Sequence, residues 1–260
     1  MSSTHQRFDA NAGGYARFRP DYPPSILDPL SRAIAAVPGA ITLPVIDVGS
    51  GTGIFTRQLA ASLPESVPVV GVEPSAAMRS EAGSAPDTDA RISYVDGVAE
   101  KLPAGDASVR AVVAATAAHW FDRPAFYREA HRVLVPSGVL AIVEYVRDVA
   151  NSPAAAAIEA FLRHHGGPKA YVRPDYPDEL RNLAGFSGSR AVYKDVVLPL
   201  TMDGFTGLAL SSSHARPVVE TLGQAATEAA LRDLAAPLMG QDGTIPYGYR
   251  FQLFLAVRGA

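Results

Sequence analysis

The sequence predicts a doubly wound α/β sheet with a helical cap. Short apolar runs, typical of buried strands, alternate with amphipathic helical patterns as far as residue 146. A glycine-rich turn joins the first strand to a helix, and beyond residue 150 helical segments separate two further strand patterns. Regular alternation of strands and helices is typical of a mostly parallel sheet covered by helices on both faces.

The composition limits the classes of protein to which the chain can belong. The chain has 260 residues, 48% of them hydrophobic, and this length fits one domain with an insertion or a small cap. The net charge of −3 comes from interspersed charges, so we expect neither nucleic acid nor a membrane as the main partner. Cysteine is absent, which excludes disulfides, thiolate metal sites and a cysteine nucleophile. No secretory signal and no apolar run near ~20 residues is evident, so we expect a cytoplasmic protein.

The first predicted elements lead into the glycine-rich turn. Apolar residues at helical spacing predict a helix over residues 25–37, and an apolar run predicts a strand over residues 44–48. The pattern Asp-x-Gly-x-Gly-x-Gly occupies residues 47–53 and opens a helix that runs from about residue 53 to 63. Glycine lets the backbone turn sharply and approach a ligand, and a helix N-terminus offers unpaired N–H groups. A ligand that carries a carboxylate and a ribose suits this turn.

The glycine spacing discriminates among nucleotide ligands. Counted from Gly49, the dinucleotide fingerprint G-x-G-x-x-G requires glycine at position 54, where the sequence has Ile54. A P-loop requires lysine directly after its last glycine, and no lysine follows Gly53. The alternative is a strand–helix turn that binds no ligand.

An acidic residue strengthens the ligand interpretation. Residues 67–72 are predicted to form a strand that ends at Glu73, which lies 24 positions after Gly49 (73 − 49). In nucleotide-binding α/β units, an acid about 20 residues beyond the turn accepts hydrogen bonds from ribose hydroxyls. Ser75 is the predicted N-cap of the helix that follows. The alternative for Glu73 is an exposed residue at a strand end.

The pattern over residues 47–53 resembles motif I of the class I S-adenosylmethionine (SAM) dependent methyltransferases. Residues 15–23 resemble an N-terminal signature of the type-11-like small-molecule branch of that family, and the likeness covers residues 8–146 well and the last strands more weakly. The resemblance implies a Rossmann-like seven-stranded sheet with its last strand antiparallel, and SAM as the methyl donor. It also implies that residues 1–24 fold over the SAM pocket as a lid, with Tyr15 and Arg19 near the methionine carboxylate. The alternative is an N-terminal arm that packs on the domain through its aromatic residues.

The resemblance implies a set of SAM-binding residues, and the sequence departs from the family at one of them. A strand is predicted over residues 91–95, and Val98 then stands where the family often has an aspartate that binds the adenine amino group. We therefore expect the adenine to contact the backbone of Val98 and Ala99, with Asp96 or Glu100 nearby, while Met78 packs either on the adenine or in the core. The predicted SAM-binding residues are Tyr15, Arg19, Gly49, Ser50, Gly51, Gly53, Glu73, Pro74, Met78, Val98, Ala99 and Thr116.

A histidine marks the same edge of the sheet. Residues 109–116 form a continuous apolar run, typical of a central strand covered on both faces, although Arg110 replaces an aspartate that the family often has. The sequence His119-Trp120-Phe121 then resembles a signature of the family at the edge where ligands gather in open α/β sheets. His119 is the candidate for substrate contact or general base, because histidine titrates near neutrality. The alternative is that His119 hydrogen-bonds locally and orders the loop.

The remaining elements define the predicted domain organisation. A helix over residues 124–134 precedes a strand over 139–145, and the SAM-binding core spans residues 25–149. Residues 150–188 and 200–243 are predicted cap insertions, and residues 189–199 and 244–260 contain the closing strands. The adjacent pair His164 and His165 lacks ligand geometry, so no metal is predicted. The further predicted helices cover 153–164, 177–184, 204–213 and 218–239, and the further strands cover 190–198 and 245–257.

The predicted activity is methyl transfer to a small-molecule acceptor by in-line displacement, with oxygen favoured as the acceptor atom. Positioning and desolvation supply most of the catalysis, and His119 serves as base when the acceptor is a hydroxyl. One alternative is a catalytically silent SAM-binding or regulatory protein, which the departures at Val98 and Arg110 keep open. Another is an NAD-dependent oxidoreductase, against which Ile54 argues. The sequence does not specify the acceptor or the oligomeric state.

Overall fold

One seven-stranded sheet organises the chain in the computed structural model, which describes residues 18–39, 41–86, 89–167, 173–212 and 214–259. The strands are β1 (Val45–Val48), β2 (Val69–Val72), β3 (Ile92–Val95), β4 (Val109–Ala115), β5 (Leu134–Arg147), β6 (Phe186–Leu200) and β7 (Ile245–Arg258). Their order is β3-β2-β1-β4-β5-β7-β6. Strands β1 to β5 pair in parallel, whereas β7 lies antiparallel between β5 and β6. The predicted fold class, with its antiparallel last strand, is confirmed.

Helices cover both faces of this sheet. The α-helices are α1 (Pro24–Ala35), α2 (Ile54–Ser62), α3 (Ala76–Gly83), α4 (Arg123–Val133), α5 (Pro153–Gly166), α6 (Tyr176–Arg181), α7 (Met202–Leu210), α8 (Arg216–Leu222) and α9 (Gln224–Ala235). Short 3₁₀ turns occupy Ala118–Trp120 and Ala236–Leu238. Apolar side chains from α1 and α2 pack on one face, and those from α4 pack on the other. The two faces bury separate hydrophobic cores, which is why all of β1 and all but the last residue of β4 are buried.

Strands β5 and β6 are longer than the sequence predicts. Strand β5 begins at Leu134, which pairs with Val109 across a register shift, and β6 extends over Phe186–Leu200 because it pairs with β7 along its whole length. Most of β6 is exposed at the edge of the sheet, so its ends carry little apolar signal. The predicted boundaries at residues 139 and 190 are therefore wrong.

The helical segments after residue 150 divide between the two faces. Helices α5, α7, α8 and α9 contribute to the core on the α1 face, whereas Tyr176 and Leu180 of α6 join the core on the α4 face. The single helix predicted over residues 218–239 is wrong, because Gly223 adopts a φ of 82° and a ψ of 154° and separates α8 from α9. Whether these helices act together as a cap over an acceptor stays a prediction.

A substitution at Gly71 tests the packing beneath the glycine turn. A Cβ atom on Gly71 of β2 would lie 2.5 Å from Cδ1 of Tyr94 and 2.8 Å from Oγ of Ser50. We expect Gly71→Ala to lower the free energy of unfolding by about 1–3 kcal/mol, because overpacking forces neighbouring atoms to move. Urea denaturation measures this loss.

The matched control is Gly83→Ala, at the end of α3, where an added Cβ has no neighbour within 4 Å. We expect that variant to be as stable as the wild type or slightly more stable. Equal stability of the two alanine variants would contradict the packing argument.

Candidate functional site

A cavity of about 260 Å³ opens at the carboxyl ends of β1, β2 and β4. Its walls combine the glycine turn with the ends of neighbouring strands, so residues far apart in the sequence meet there. Ten of the predicted SAM-binding residues line it: Arg19, Gly49, Ser50, Gly51, Glu73, Pro74, Met78, Val98, Ala99 and Thr116. Gly53 does not line the cavity, and Tyr15 lies outside the described residues.

The three glycines of the turn are required for different reasons. All three have a left-handed backbone, with φ values of 70° at Gly49, 55° at Gly51 and 76° at Gly53. A Cβ atom on Gly49 would lie 2.7 Å from Cβ of Ala117, and one on Gly53 would collide with the hydroxyl of Tyr94. The nearest neighbour of a Cβ on Gly51 is Sδ of Met78 at 3.8 Å. Gly51 therefore keeps the ligand side open, whereas Gly53 serves the packing below.

Glu73 is held in place by the backbone around it. Oε2 accepts a hydrogen bond from the Gly51 N–H at 3.0 Å, and Oε1 accepts one from the Ser75 N–H at 2.9 Å. The residue is 7% exposed, and it lines the cavity. An ionised carboxylate has about four acceptor positions, so two remain for donors on a ligand. The structure thus brings Glu73 to the glycine turn, as the sequence predicts.

The wall beyond Glu73 is mainly apolar. Met78, Val98 and Ala99 line the cavity together with Pro74, and Val98 is 37% exposed. Glu100 lines the cavity too, although its Oε1 already accepts the Asp122 N–H at 2.9 Å. Asp96, the other acid considered for adenine contact, forms an ion pair with Arg79 at 2.8 Å and is not part of the wall.

The opposite end of the cavity is polar and aromatic. The hydroxyls of Tyr22 and Thr116 lie 2.9 Å apart, and Thr116 adopts a left-handed φ of 49°. Nη1 of Arg19 donates to the Tyr145 hydroxyl at 2.8 Å. The sequence analysis missed Tyr22 and Tyr145 as site residues. Tyr145 follows the apolar run of β5, which ends beside β4 at the edge of the sheet where ligands bind. This position could have indicated that Tyr145 is a site residue.

His119 lies next to this cavity without lining it. The residue sits in the 3₁₀ turn after β4, its side chain is 23% exposed, and its ring centroid is 4.9 Å from that of Trp120. Trp120 and Phe121 do line the cavity. Nδ1 of His119 lies 3.5 Å from Oε1 of the buried Glu144. Its predicted role as a base stays a prediction.

Asp47 lies beneath the turn with an unusual protonation equilibrium. Its side chain is fully buried, and its Oδ2 accepts the Thr56 hydroxyl at 2.6 Å. Burial raises the pKa of Asp47 to about 7; the Thr56 hydrogen bond opposes the rise, and the negative charge of Glu73 adds to it. The first acid of the glycine motif therefore titrates near neutrality.

The described residues contain neither a metal-binding cluster nor a membrane-spanning helix. No cluster of three or more His, Cys, Asp or Glu side chains in that part of the chain has a geometry that would hold a metal ion. None of its helices is long and apolar enough to cross a membrane.

Part of the chain is similar to known sequences. Residues 46–142 match the profile of a family described as a methyltransferase domain. An uncharacterised methyltransferase of Mycobacterium tuberculosis is 38% identical over 142 residues, which are 54% of this chain and 53% of that protein. An uncharacterised methyltransferase of Schizosaccharomyces pombe is 31% identical over 143 residues, with the same two shares. The chain spans about half the length of these curated relatives.

Solved structures share the fold over most of the chain. A protein of Anaeromyxobacter dehalogenans assigned as a type II methyltransferase is 24% identical, with a TM-score of 0.67 and coverage of 93% of this chain and 98% of that one. Phosphoethanolamine N-methyltransferase 2 of Haemonchus contortus, solved with phosphomonomethylethanolamine and S-adenosylhomocysteine, is 20% identical with a TM-score of 0.58. That alignment covers 98% of this chain and 58% of the other. These likenesses establish a common fold.

The raised pKa of Asp47 predicts a pH-dependent stability. Because the folded-state pKa of about 7 exceeds the ordinary value of 3.8, the folded protein binds this proton more tightly than the unfolded chain. Asp47 therefore contributes stability below about pH 4 that is lost as the pH rises to 7. We expect the free energy of unfolding of the wild type to fall relative to that of Asp47→Asn across this range, measured by urea denaturation at several pH values.

The control is Asp28→Asn, an exposed position on α1. Its stability relative to the wild type should change much less over the same range of pH. A constant difference between the wild type and Asp47→Asn would show that Asp47 titrates normally.

Proposed function

We propose that this chain, whose residues 46–142 match a methyltransferase domain family, transfers a methyl group from SAM to a small-molecule acceptor. The observation that carries the proposal is the arrangement at Glu73. A buried carboxylate with two free acceptor positions lies beside a glycine turn that is open to a cavity at the carboxyl edge of the sheet.

The residues present fit SAM along the length of the cavity. Glu73 would accept the ribose hydroxyls, and the absence of a side chain at Gly51 leaves room beside them. The apolar wall of Met78 and Val98 suits the flat face of adenine. At the other end, the cationic Arg19 suits the methionine carboxylate. The family resemblance adds Tyr15 at this end.

SAM supplies a methyl group attached to a positively charged sulfur. The chain then has to bind SAM and the acceptor, to align them and to exclude water, because the methyl group needs only an aligned nucleophile. Tyr22 and Thr116, joined by their hydroxyls, fix the wall at the polar end of the cavity. Trp120 and Phe121 cover it from the turn after β4.

Oxygen is the acceptor atom that we propose, with His119 as the base. A hydroxyl acceptor must lose a proton during transfer, and imidazole is suited to accept it near neutral pH. His119 lies in the turn that brings Trp120 to the cavity, and its side chain is partly exposed. The acceptor that we propose is a small molecule, because the modest, interspersed charge of the chain does not favour nucleic acid. The cysteine-free sequence fits the cytoplasmic location that we propose.

Two alternative functions remain distinguishable. The guanidinium of Arg110 joins β4 to α1 by donating to the carbonyl of Ile34 at 3.0 Å. This structural role accounts for the arginine, so its presence is not an argument for a silent SAM-binding protein. Val98 remains the one departure at the cavity itself. An NAD-dependent oxidoreductase is disfavoured because Ile54 lines the cavity at the position of the last fingerprint glycine.

Ligand binding separates the SAM site from an NAD site. We expect S-adenosylhomocysteine, but not NADH, to raise the melting temperature of the protein, because a ligand that binds only the folded state stabilises it. Stabilisation by NADH alone would reject the methyltransferase proposal.

Substitution of Glu73 tests the ribose contact. We expect Glu73→Ala to weaken S-adenosylhomocysteine binding about tenfold in calorimetry, because the variant loses charge-assisted hydrogen bonds. Glu65→Ala, an exposed position after α2, is the control and should bind like the wild type. Unchanged affinity in Glu73→Ala would remove Glu73 from the site.

Transfer of a radiolabelled methyl group tests the reaction and the base. With hydroxyl acceptors, we expect His119→Asn to lower kcat by a factor on the order of 10²–10⁴, the usual contribution of a general base, and to leave the affinity for S-adenosylhomocysteine unchanged. Full activity of His119→Asn would reject the base. Binding of SAM without turnover across hydroxyl, amine and carbon acceptors would favour the silent protein.

A further inference from the structure

We propose that Glu144 is a positioning residue, which holds His119 with its Nδ1 protonated so that Nε2 is the nitrogen that accepts a proton. This inference deepens the proposed function and rests on it for its catalytic consequence. The protonation pattern that it predicts for His119 is a property of the folded protein and can be measured without any reaction.

Glu144 occupies a position where a carboxylate is costly. It lies in β5 between β4 and β7, where it pairs with Gln252, and its side chain is only 3% exposed. Ile142 and Leu140, two and four positions earlier on the same face of the strand, belong to the hydrophobic core on the α4 side. Burial of an ionised carboxylate disfavours folding unless charged or hydrogen-bonding partners compensate it.

The partners of this carboxylate come from separate parts of the chain. Nδ1 of His119 lies 3.5 Å from Oε1, and the Tyr176 hydroxyl donates to the same oxygen at 3.5 Å. Nη1 of Arg173 lies 3.6 Å from Oε2. Tyr176 is 1% exposed, so its hydroxyl is fixed by the packing of α6. Oε1 of Glu144 therefore lies near His119 and Tyr176, and Oε2 lies near Arg173.

This arrangement selects one form of the neutral imidazole. Neutral histidine carries one N–H, and a carboxylate accepts but does not donate, so the nitrogen beside Glu144 is the protonated one. The lone pair of the ring then lies on Nε2. The distance of 3.5 Å exceeds that of an ordinary hydrogen bond, and such contacts commonly shorten when the substrate complex forms.

The consequence for the reaction follows from the charges. When a hydroxyl acceptor reacts, its oxygen forms the new bond to the methyl carbon, the sulfur–methyl bond breaks to leave a thioether, and the hydroxyl proton moves to Nε2 and later to water. The imidazolium formed in this step lies beside the negative charge of Glu144, which stabilises it. Glu144 itself does not contact the reacting atoms.

The test reads the protonation of the His119 ring directly. In protein labelled with ¹⁵N-histidine, long-range ¹H–¹⁵N correlation spectra distinguish the two neutral forms, and His119→Asn assigns the signal. We expect the Nδ1-protonated form in the wild type. In Glu144→Gln we expect a substantial population of the Nε2-protonated form, because the glutamine amide can donate to Nδ1. Glu144→Asp, which keeps the carboxylate, should retain the wild-type form in part.

A buried carboxylate elsewhere provides the matched control. Glu159 of α5 is also largely buried and pairs with Arg147 at 3.3 Å, without being part of the site. Glu159→Gln should leave the His119 spectrum and the transfer rate unchanged. With hydroxyl acceptors, Glu144→Gln should lower kcat about 10- to 100-fold, with KM and S-adenosylhomocysteine affinity within about twofold.

Each outcome decides the inference. An Nε2-protonated His119 in the wild type overturns it without any variant, and so does an unchanged His119 spectrum in a folded Glu144→Gln. If the spectra change as expected but the wild type methylates no hydroxyl acceptor, the positioning role stands and the proposed function fails.

Discussion

The hydrogen bonds from Gly51 and Ser75 to Glu73 are the constraint on which the rest of the site depends. They join the turn after β1 to the end of β2, so the two strand ends present one continuous surface to the cavity. The carboxylate is largely buried, and two backbone N–H donors compensate its burial. The same carboxylate also raises the pKa of Asp47 below the turn. Glu73 in the cavity wall and Asp47 beneath the turn are therefore coupled electrostatically.

The close packing beneath the turn explains why part of this loop is built from glycine. Tyr94 of β3 fills the space under Gly53 and Gly71, so neither position tolerates a side chain. A well-packed support holds the loop in one conformation, and a preformed loop loses less entropy when a ligand binds. Gly51, by contrast, has room for a Cβ atom, whose nearest neighbour would be Sδ of Met78 at 3.8 Å. Sequence motifs do not separate these two reasons, because both produce glycine.

The side chains proposed for the methyl-donor site and for support of the base extend from opposite faces of β5. Tyr145 points its hydroxyl to Arg19 at the polar end of the cavity, whereas Glu144, one residue earlier, contacts His119 and Tyr176. Alternation along a strand sends neighbouring side chains to opposite faces, and this places donor-site and base-supporting residues side by side in the sequence. Among the described residues, none of those from the segments predicted as a cap lines the cavity. Two residues of these segments, Arg173 and Tyr176, contact Glu144 instead.

Local pattern was sufficient to determine the α/β alternation, the glycine turn and the acid at the end of β2, because each depends on neighbouring residues or on a fixed spacing along the chain. Local pattern did not predict the ends of β6, because an exposed edge strand has weak hydrophobic periodicity. It did not predict the break between α8 and α9 either, because one glycine does not by itself end a helix. The tertiary structure alone decided that Tyr22 and Tyr145 meet Thr116 and Arg19, and that Gly53 supports the turn without lining the cavity. It also decided that Glu144 meets His119, because contacts between residues brought together only by strand order and helix packing leave no periodic trace in the sequence.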